Sequence, residues 1–155
     1  MARDGSTRLV IAVAADHAGF PLKQRVLDLV RAHGHEAIDL GTDSTAPVDY
    51  PDVAQRLGEA IQRGDANRGV LLCGSGVGAA VAACKLVGIR AAVCHDTYSA
   101  HQGVEHDDMN VLALGARIIG PELVAELVGA YLGAAFTHDE RHVRRLAKIA
   151  ALERR

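Results

Sequence analysis

Apolar residues fall into two alternating patterns along the chain. Short runs rich in apolar residues occur at 8–14 (RLVIAVA), 36–40 (EAIDL), 69–73 (GVLLC), 90–94 (RAAVC) and 110–114 (NVLAL). Each predicts a strand, and the nearly unbroken run at 8–14 one buried on both faces. Between them the spacing turns helical. Leu22, Val26, Leu29 and Val30 fall at i, i+4, i+7 and i+8, predicting a helix opened by Pro21 and stopped by Gly34. Val53, Leu57 and Ile61 mark a second helix over 51–63. Further helices are predicted over 77–86, 97–104 (short) and 121–132, the last striped by Leu123, Leu127 and Tyr131. A basic helix closes the chain over 138–154, with Val143, Leu146 and Ile149 expected to face inward. Strand and helix alternate about every 25 residues, which predicts an α/β fold: a five-stranded parallel sheet with right-handed crossovers and helices on both faces.

At 155 residues the expectation is one domain over 1–155, with 1–7 a flexible N-terminus. The net charge of −2 gives no general electrostatic case for nucleic acid or a membrane surface, and 3% aromatics supply few stacking platforms. No apolar run reaches transmembrane length and MARDGSTR lacks a signal-peptide core, so a cytoplasmic protein is expected. Cys73, Cys84 and Cys94 are odd in number and lack CxxC spacing, against a disulfide framework or a structural zinc site.

Ligands of open α/β sheets sit outside the carboxyl ends of the strands. Those ends carry Asp16-His17-Ala18-Gly19, the loop with Asp49 and Tyr50, Cys73-Gly74-Ser75-Gly76-Val77-Gly78, His95-Asp96, and Gly115-Ala116-Arg117. The glycine loop permits close ligand approach, and the following helix start favours negative charge. A thiol at such a place is favoured as thiolate, making Cys73 a candidate base or nucleophile; an inert core cysteine is the alternative. Asp16 and His17 suit proton transfer or an anion grip, or form a polar loop end. His106 precedes the fifth strand, at the opposite edge of the sheet. It is a solvated loop residue or serves a site on a neighbouring subunit. Arg141 and Arg145, at i and i+4, place two guanidinium forks on one helix face, suited to phosphate.

Two other classes compete. Gly74-x-Gly76-x-x-Ala79 fits a dinucleotide-binding fingerprint, with Asp96 about 20 residues on as a ribose-binding acid. Against it, the motif follows the third strand, and no separate substrate domain is expected. A phospho-receiver module would need an aspartate where Cys73 stands. No HExxH pair supports metal hydrolysis.

Seven motifs in order resemble the type B ribose-5-phosphate isomerase and galactose-6-phosphate isomerase family. They are Asp16-His17-Ala18-Gly19, Asp49-Tyr50-Pro51, the CGSGVG loop, Gly88-Ile89-Arg90-Ala91, His106 with Asn110-Val111-Leu112, Gly115-Ala116-Arg117, and Arg141-His142-x-x-Arg145. The resemblance spans about Leu9 to Leu152. It implies a Rossmann-like three-layer α/β/α sandwich whose C-terminal helix extends to a partner subunit. It also implies a homodimer or dimer of dimers with active sites between subunits. The implied activity is aldose–ketose isomerisation of a phosphorylated sugar, with no metal and no cofactor, through a cis-enediolate. Residue by residue, it makes Cys73 the base between C1 and C2, assisted by Ser75. Gly74, Gly76 and Gly78 become the anion hole, and Asp16 and His106 the ring-opening groups. His17, Arg117, Arg141 and Arg145 become the phosphate grip, and Asp49 and Tyr50 the pocket loop. Asp107, beside His106, stands where many members carry Asn, and Cys84 departs from an Ala-Ala-Asn-Lys pattern. Asp107 is expected at the substrate; a carboxylate accepts hydrogen bonds and repels an enediolate. Ribose 5-phosphate is the leading substrate; a tetrulose 4-phosphate or a hexose 6-phosphate is the alternative.

Overall fold

The computed structural model describes residues 7–155. The expectation for 1–7 falls, apart from Thr7, outside the described residues. The elements are β1 (Val10–Ala15), α1 (Phe20–Ala32), β2 (Glu36–Asp39), α2 (Tyr50–Gln62), β3 (Arg68–Cys73), α3 (Val77–Ala83), β4 (Ala91–Val93), α4 (Thr97–Asp107), β5 (Val111–Gly115), α5 (Pro121–Gly133) and α6 (Glu140–Glu153). All five strands are parallel, in the order β2-β1-β3-β5-β4.

The strand residues alternate between two cores because side chains alternate across a sheet. Ile11, Val13, Val70, Leu72, Leu112 and Leu114 pack under α1, α4 and α5. Ala12, Ala14, Leu71, Cys73, Val111 and Ala113 pack under α2 and α3. Both faces are covered, which is why the central strands read as unbroken apolar runs. After β2 the chain crosses β1 to lay down β3, so the crevice of this sheet opens between the carboxyl ends of β1 and β3.

Three expectations change. The helix expected over 97–104 continues to Asp107, ended by Asp108 in the left-handed region at φ 47°. A non-glycine residue in that conformation gives no sequence signal of a cap. The helix expected over 77–86 stops at Ala83, because Lys85 and Leu86 turn back to the Ala82 and Ala83 carbonyls. Finally, Val143 and Ile149 of α6 do not face inward: they are 47% and 39% exposed. Only His142 of α6 is buried; the helix is held at its first turn and, at its last residue, through Glu153, which accepts from the Gly88 amide at 3.1 Å, while Val143 and Ile149 stay open. Among the described residues no helix is long and apolar enough to cross a membrane.

Candidate active site

The crevice between β1 and β3 is built from two loops that hold each other. After β1, the Asp16 amide donates to the Leu72 carbonyl at 3.0 Å. Asp16 Oδ1 then accepts from the Ala18 and Gly19 amides at 2.9 Å each, leaving the second oxygen for the cavity that Asp16 lines. Gly19 allows this approach: a Cβ there would lie 2.3 Å from the Leu72 carbonyl oxygen. His17 Nδ1 accepts from the Val48 amide at 3.2 Å. A neutral ring accepting at Nδ1 carries its proton on Nε2, which is therefore the donor available to a ligand.

After β3, the Gly76 amide donates to Cys73 Sγ at 3.1 Å. Gly76 has φ 81°, which aims that amide back across the turn and favours glycine. Ser75 Oγ accepts from the Val77 amide at 3.3 Å, so its hydroxyl proton remains free to donate. The Cys73 carbonyl accepts from the Ala116 amide and the Gly74 carbonyl from the Arg117 amide, so the loop after β5 brings Arg117 beside Gly74. Gly78 lies under the Tyr50 ring, where a Cβ would come within 2.7 Å of Cζ. The loop leading to Tyr50 is tied down by the buried Lys23, whose Nζ lies 2.9 Å from Asp39 and 2.6 Å from the Thr42 carbonyl oxygen. Burial pushes the Asp39 carboxyl up, but the Lys23 and Gly41 hydrogen bonds outweigh it and leave it below the usual range.

The result is a cavity of about 410 Å³ lined by Asp16, His17, Tyr50, Cys73, Gly74, Ser75, Gly78 and Arg117, with Ala18 and Ile118 at its rim. Cys73 is 4% exposed within it. Gly76 lies beneath the loop, and Asp49 is exposed as the N-cap of α2 outside the cavity wall. A larger hollow, about 930 Å³, lies between β4, α4 and α6. Its walls are mostly apolar, including Leu86, Met109, Ile149 and Leu152. The convergence of acid, thiol, imidazole and guanidinium marks the smaller one as the site.

His95 was not singled out as a site residue by the sequence. Its Nε2 accepts from the Gly115 amide at 3.0 Å, and Gly115 packs so closely on Ser75 that a Cβ would lie 2.6 Å from the Ser75 backbone. Burial lowers the His95 pKa, which keeps that acceptor available. Its position at the carboxyl end of β4 is the signal that could have found it. Asp96, the candidate ribose-binding acid, caps α4 instead: Oδ1 accepts from the Ser99 amide at 2.6 Å.

His106, Asp107, Arg141 and Arg145 are not in this cavity. Cys73 pairs with Gly115 at the carboxyl end of β5, whereas α4 ends beside its amino end. The strand between them spans about 13 Å. His106 stacks on His142, ring centroids 4.1 Å apart at 25°, and its Nδ1 lies 2.9 Å from Gln102 Nε2. Burial, then the neighbouring His106 and Arg141, lowers the His142 pKa. Asp107 lines the larger hollow. Arg141 and Arg145 are exposed and, among the described residues, have no ion-pair partner. Among the described residues no group of three His, Cys, Asp or Glu side chains is placed to hold a metal ion.

Residues 11–149 match the family model described as Ribose/Galactose Isomerase. The chain is 43% identical to ribose-5-phosphate isomerase B of Escherichia coli strain K12 over 145 residues, covering 94% of this chain and 97% of that one. It is 48% identical to D-erythrulose-4-phosphate isomerase of Pectobacterium atrosepticum over 130 residues, covering 83% and 85%. Among solved structures, type B ribose 5-phosphate isomerase of Trypanosoma brucei superposes with a TM-score of 0.91 at 40% identity, covering 95% and 99%.

Proposed function

The chain belongs to the ribose/galactose isomerase family, and from that membership we propose that it interconverts ribose 5-phosphate and ribulose 5-phosphate in the cytoplasm, without a metal ion. The observation that carries the reading is Cys73 Sγ, 3.1 Å from an inward-aimed amide, in a cavity shared with Asp16, His17, Ser75 and Arg117.

In the proposed reaction the furanose opens first. A base takes the proton of the C1 hydroxyl, the bond from C1 to the ring oxygen breaks, and an acid protonates that oxygen. Asp16 and His106 are the pair for these transfers. Cys73, as thiolate, then takes the C2 proton, and the electron pair moves into a cis-enediolate with its charge on O1. Amides of the Gly74–Gly78 loop and the Ser75 hydroxyl stabilise that charge. Return of the proton from Cys73 to C1, with transfer of the O2 proton to O1, yields the ketose. Nε2 of His17 and the Arg117 guanidinium bind the phosphate, and Tyr50 walls the sugar.

His106, Arg141 and Arg145 lie at the other sheet edge, so in this reading they act on the cavity of a second copy. A homodimer with sites between subunits gives the exposed forks of α6 a phosphate to bind and its open apolar stripe a surface to cover.

A second substrate, a tetrulose 4-phosphate, is favoured by two observations. Asp107 presents an acceptor where a donor would serve an anionic intermediate, and the chain is 48% identical to a D-erythrulose-4-phosphate isomerase. Rates of ketose formation from ribose 5-phosphate, erythrose 4-phosphate and allose 6-phosphate, on chelator-treated protein, test the reading. The highest kcat/KM is expected for ribose 5-phosphate. A higher value with another sugar moves the substrate, and no conversion of any overturns the activity.

A further inference from the structure

His142 is a buried imidazole in a helix that buries nothing else. It is 1% exposed, and its Nε2 has no hydrogen-bond partner among the described residues. An unsatisfied buried nitrogen is costly, and a phenyl ring would fill the same space without that cost. The imidazole instead makes two contacts. Its Nδ1 lies 2.7 Å from Thr137 Oγ1, and its face lies against His106. Thr137 is itself fixed to α4, since its amide donates to the Glu105 carbonyl at 3.0 Å. The plane of His142 is therefore set by the same segment of α4 that carries His106.

His106 is held on a second side by Gln102. An amide nitrogen only donates, so His106 Nδ1 accepts and a neutral ring carries its proton on Nε2. The stack and the Gln102 bond together fix the ring and leave its Nε2–H without a hydrogen-bond partner among the described residues.

We propose that His142 is a positioning residue for His106, holding that imidazole from α6 so that its Nε2–H faces the ring oxygen of a cyclic sugar phosphate. The proposal rests on the isomerase reading of the site. It confines the effect of His142 to ring opening. Ribulose 5-phosphate has its C5 oxygen phosphorylated and so forms no furanose; exchange of its C1 proton needs Cys73 but no ring opening.

The test compares His142→Ala, His142→Phe and His106→Ala with the unsubstituted protein in two assays. One is turnover of ribose 5-phosphate; the other is deuterium entry at C1 of ribulose 5-phosphate in D₂O. His142→Ala is expected to lower kcat on ribose 5-phosphate ~10–100-fold, as misplacement of a reacting group does. It should leave C1 exchange within about twofold. His142→Phe keeps the stacked face and should recover most of the loss; His142→Leu, which fills the space without a ring face, replaces His142→Ala as the test variant if that one does not fold. Equal losses in both assays, or undiminished ribose 5-phosphate turnover, overturn the proposal. If His106→Ala shows the split and His142→Ala does not, only the positioning role fails. Absence of exchange in the unsubstituted protein overturns the isomerase reading beneath it.

Discussion

The Gly76 amide points back across the turn at Cys73 Sγ, 3.1 Å away. One hydrogen bond thereby joins the last residue of β3 to the N-cap of α3 and orients a thiol at the floor of the cavity. The left-handed Gly76 makes the geometry possible, and the Leu114 backbone, 3.1 Å from where a Cβ would stand, crowds any side chain there.

Gly76→Ala is accordingly expected to cost about 1–3 kcal/mol in stability, from the φ penalty and the crowding. It should also lower kcat more than it raises KM, because the donor to Sγ moves. Denaturant unfolding and steady-state kinetics read the two effects. An unchanged kcat in a folded variant would detach Gly76 from the chemistry.

The separation of Cys73 from His106 along β5 predicts complementation. Cys73→Ala and His106→Ala are each expected to be nearly inactive. Unfolded and refolded together in equal amounts, they should recover about a quarter of normal activity, because in the proposed homodimer half the pairs are mixed and each mixed pair holds one intact site. No recovery would place the two residues' work within one subunit or remove one of them from the site.

Asp107→Asn exchanges an acceptor for a side chain that also donates. The ratio of ribose 5-phosphate to erythrose 4-phosphate turnover is expected to rise about tenfold, the scale of one gained hydrogen bond at an anion. A constant ratio would take Asp107 out of substrate selection.

His35, His95 and His142 all have pKa values lowered first by burial. For such groups the unfolded chain binds protons that the folded chain does not. Their stabilising effect is therefore present above their unfolded pKa of about 6.5 and is lost as pH falls through the lower folded values. Urea midpoints should fall between about pH 7.5 and 5.5, and less steeply in His142→Phe. A midpoint that holds or rises on acidification contradicts the assignment.

The central strands β1, β3 and β5 were legible because each is sheltered on both faces and carries almost no polar interruption. The carboxyl-edge rule places Asp16, His17, Cys73 and Arg117 together from the strand ends alone. Other features leave weaker traces. Periodicity marks an apolar stripe on α6 but does not say which surface covers it, so Val143 and Ile149 were expected inward and lie open. The end of α4 rests on a left-handed aspartate, in a place where glycine is the usual sequence marker. His95 acts through a backbone amide of another strand, a contact fixed by the β5-β4 pairing that the residue pattern does not reveal.

The most direct test follows C2–H of ribose 5-phosphate by NMR in D₂O, with chelator-treated protein and its Cys73→Ala variant. The account predicts that the intact protein forms ribulose 5-phosphate carrying deuterium at C1, and exchanges C2–H of the aldose on the return path. The variant should bind ribose 5-phosphate and do neither. Near-full conversion by Cys73→Ala would show that another group moves the proton and would contradict the account at its centre.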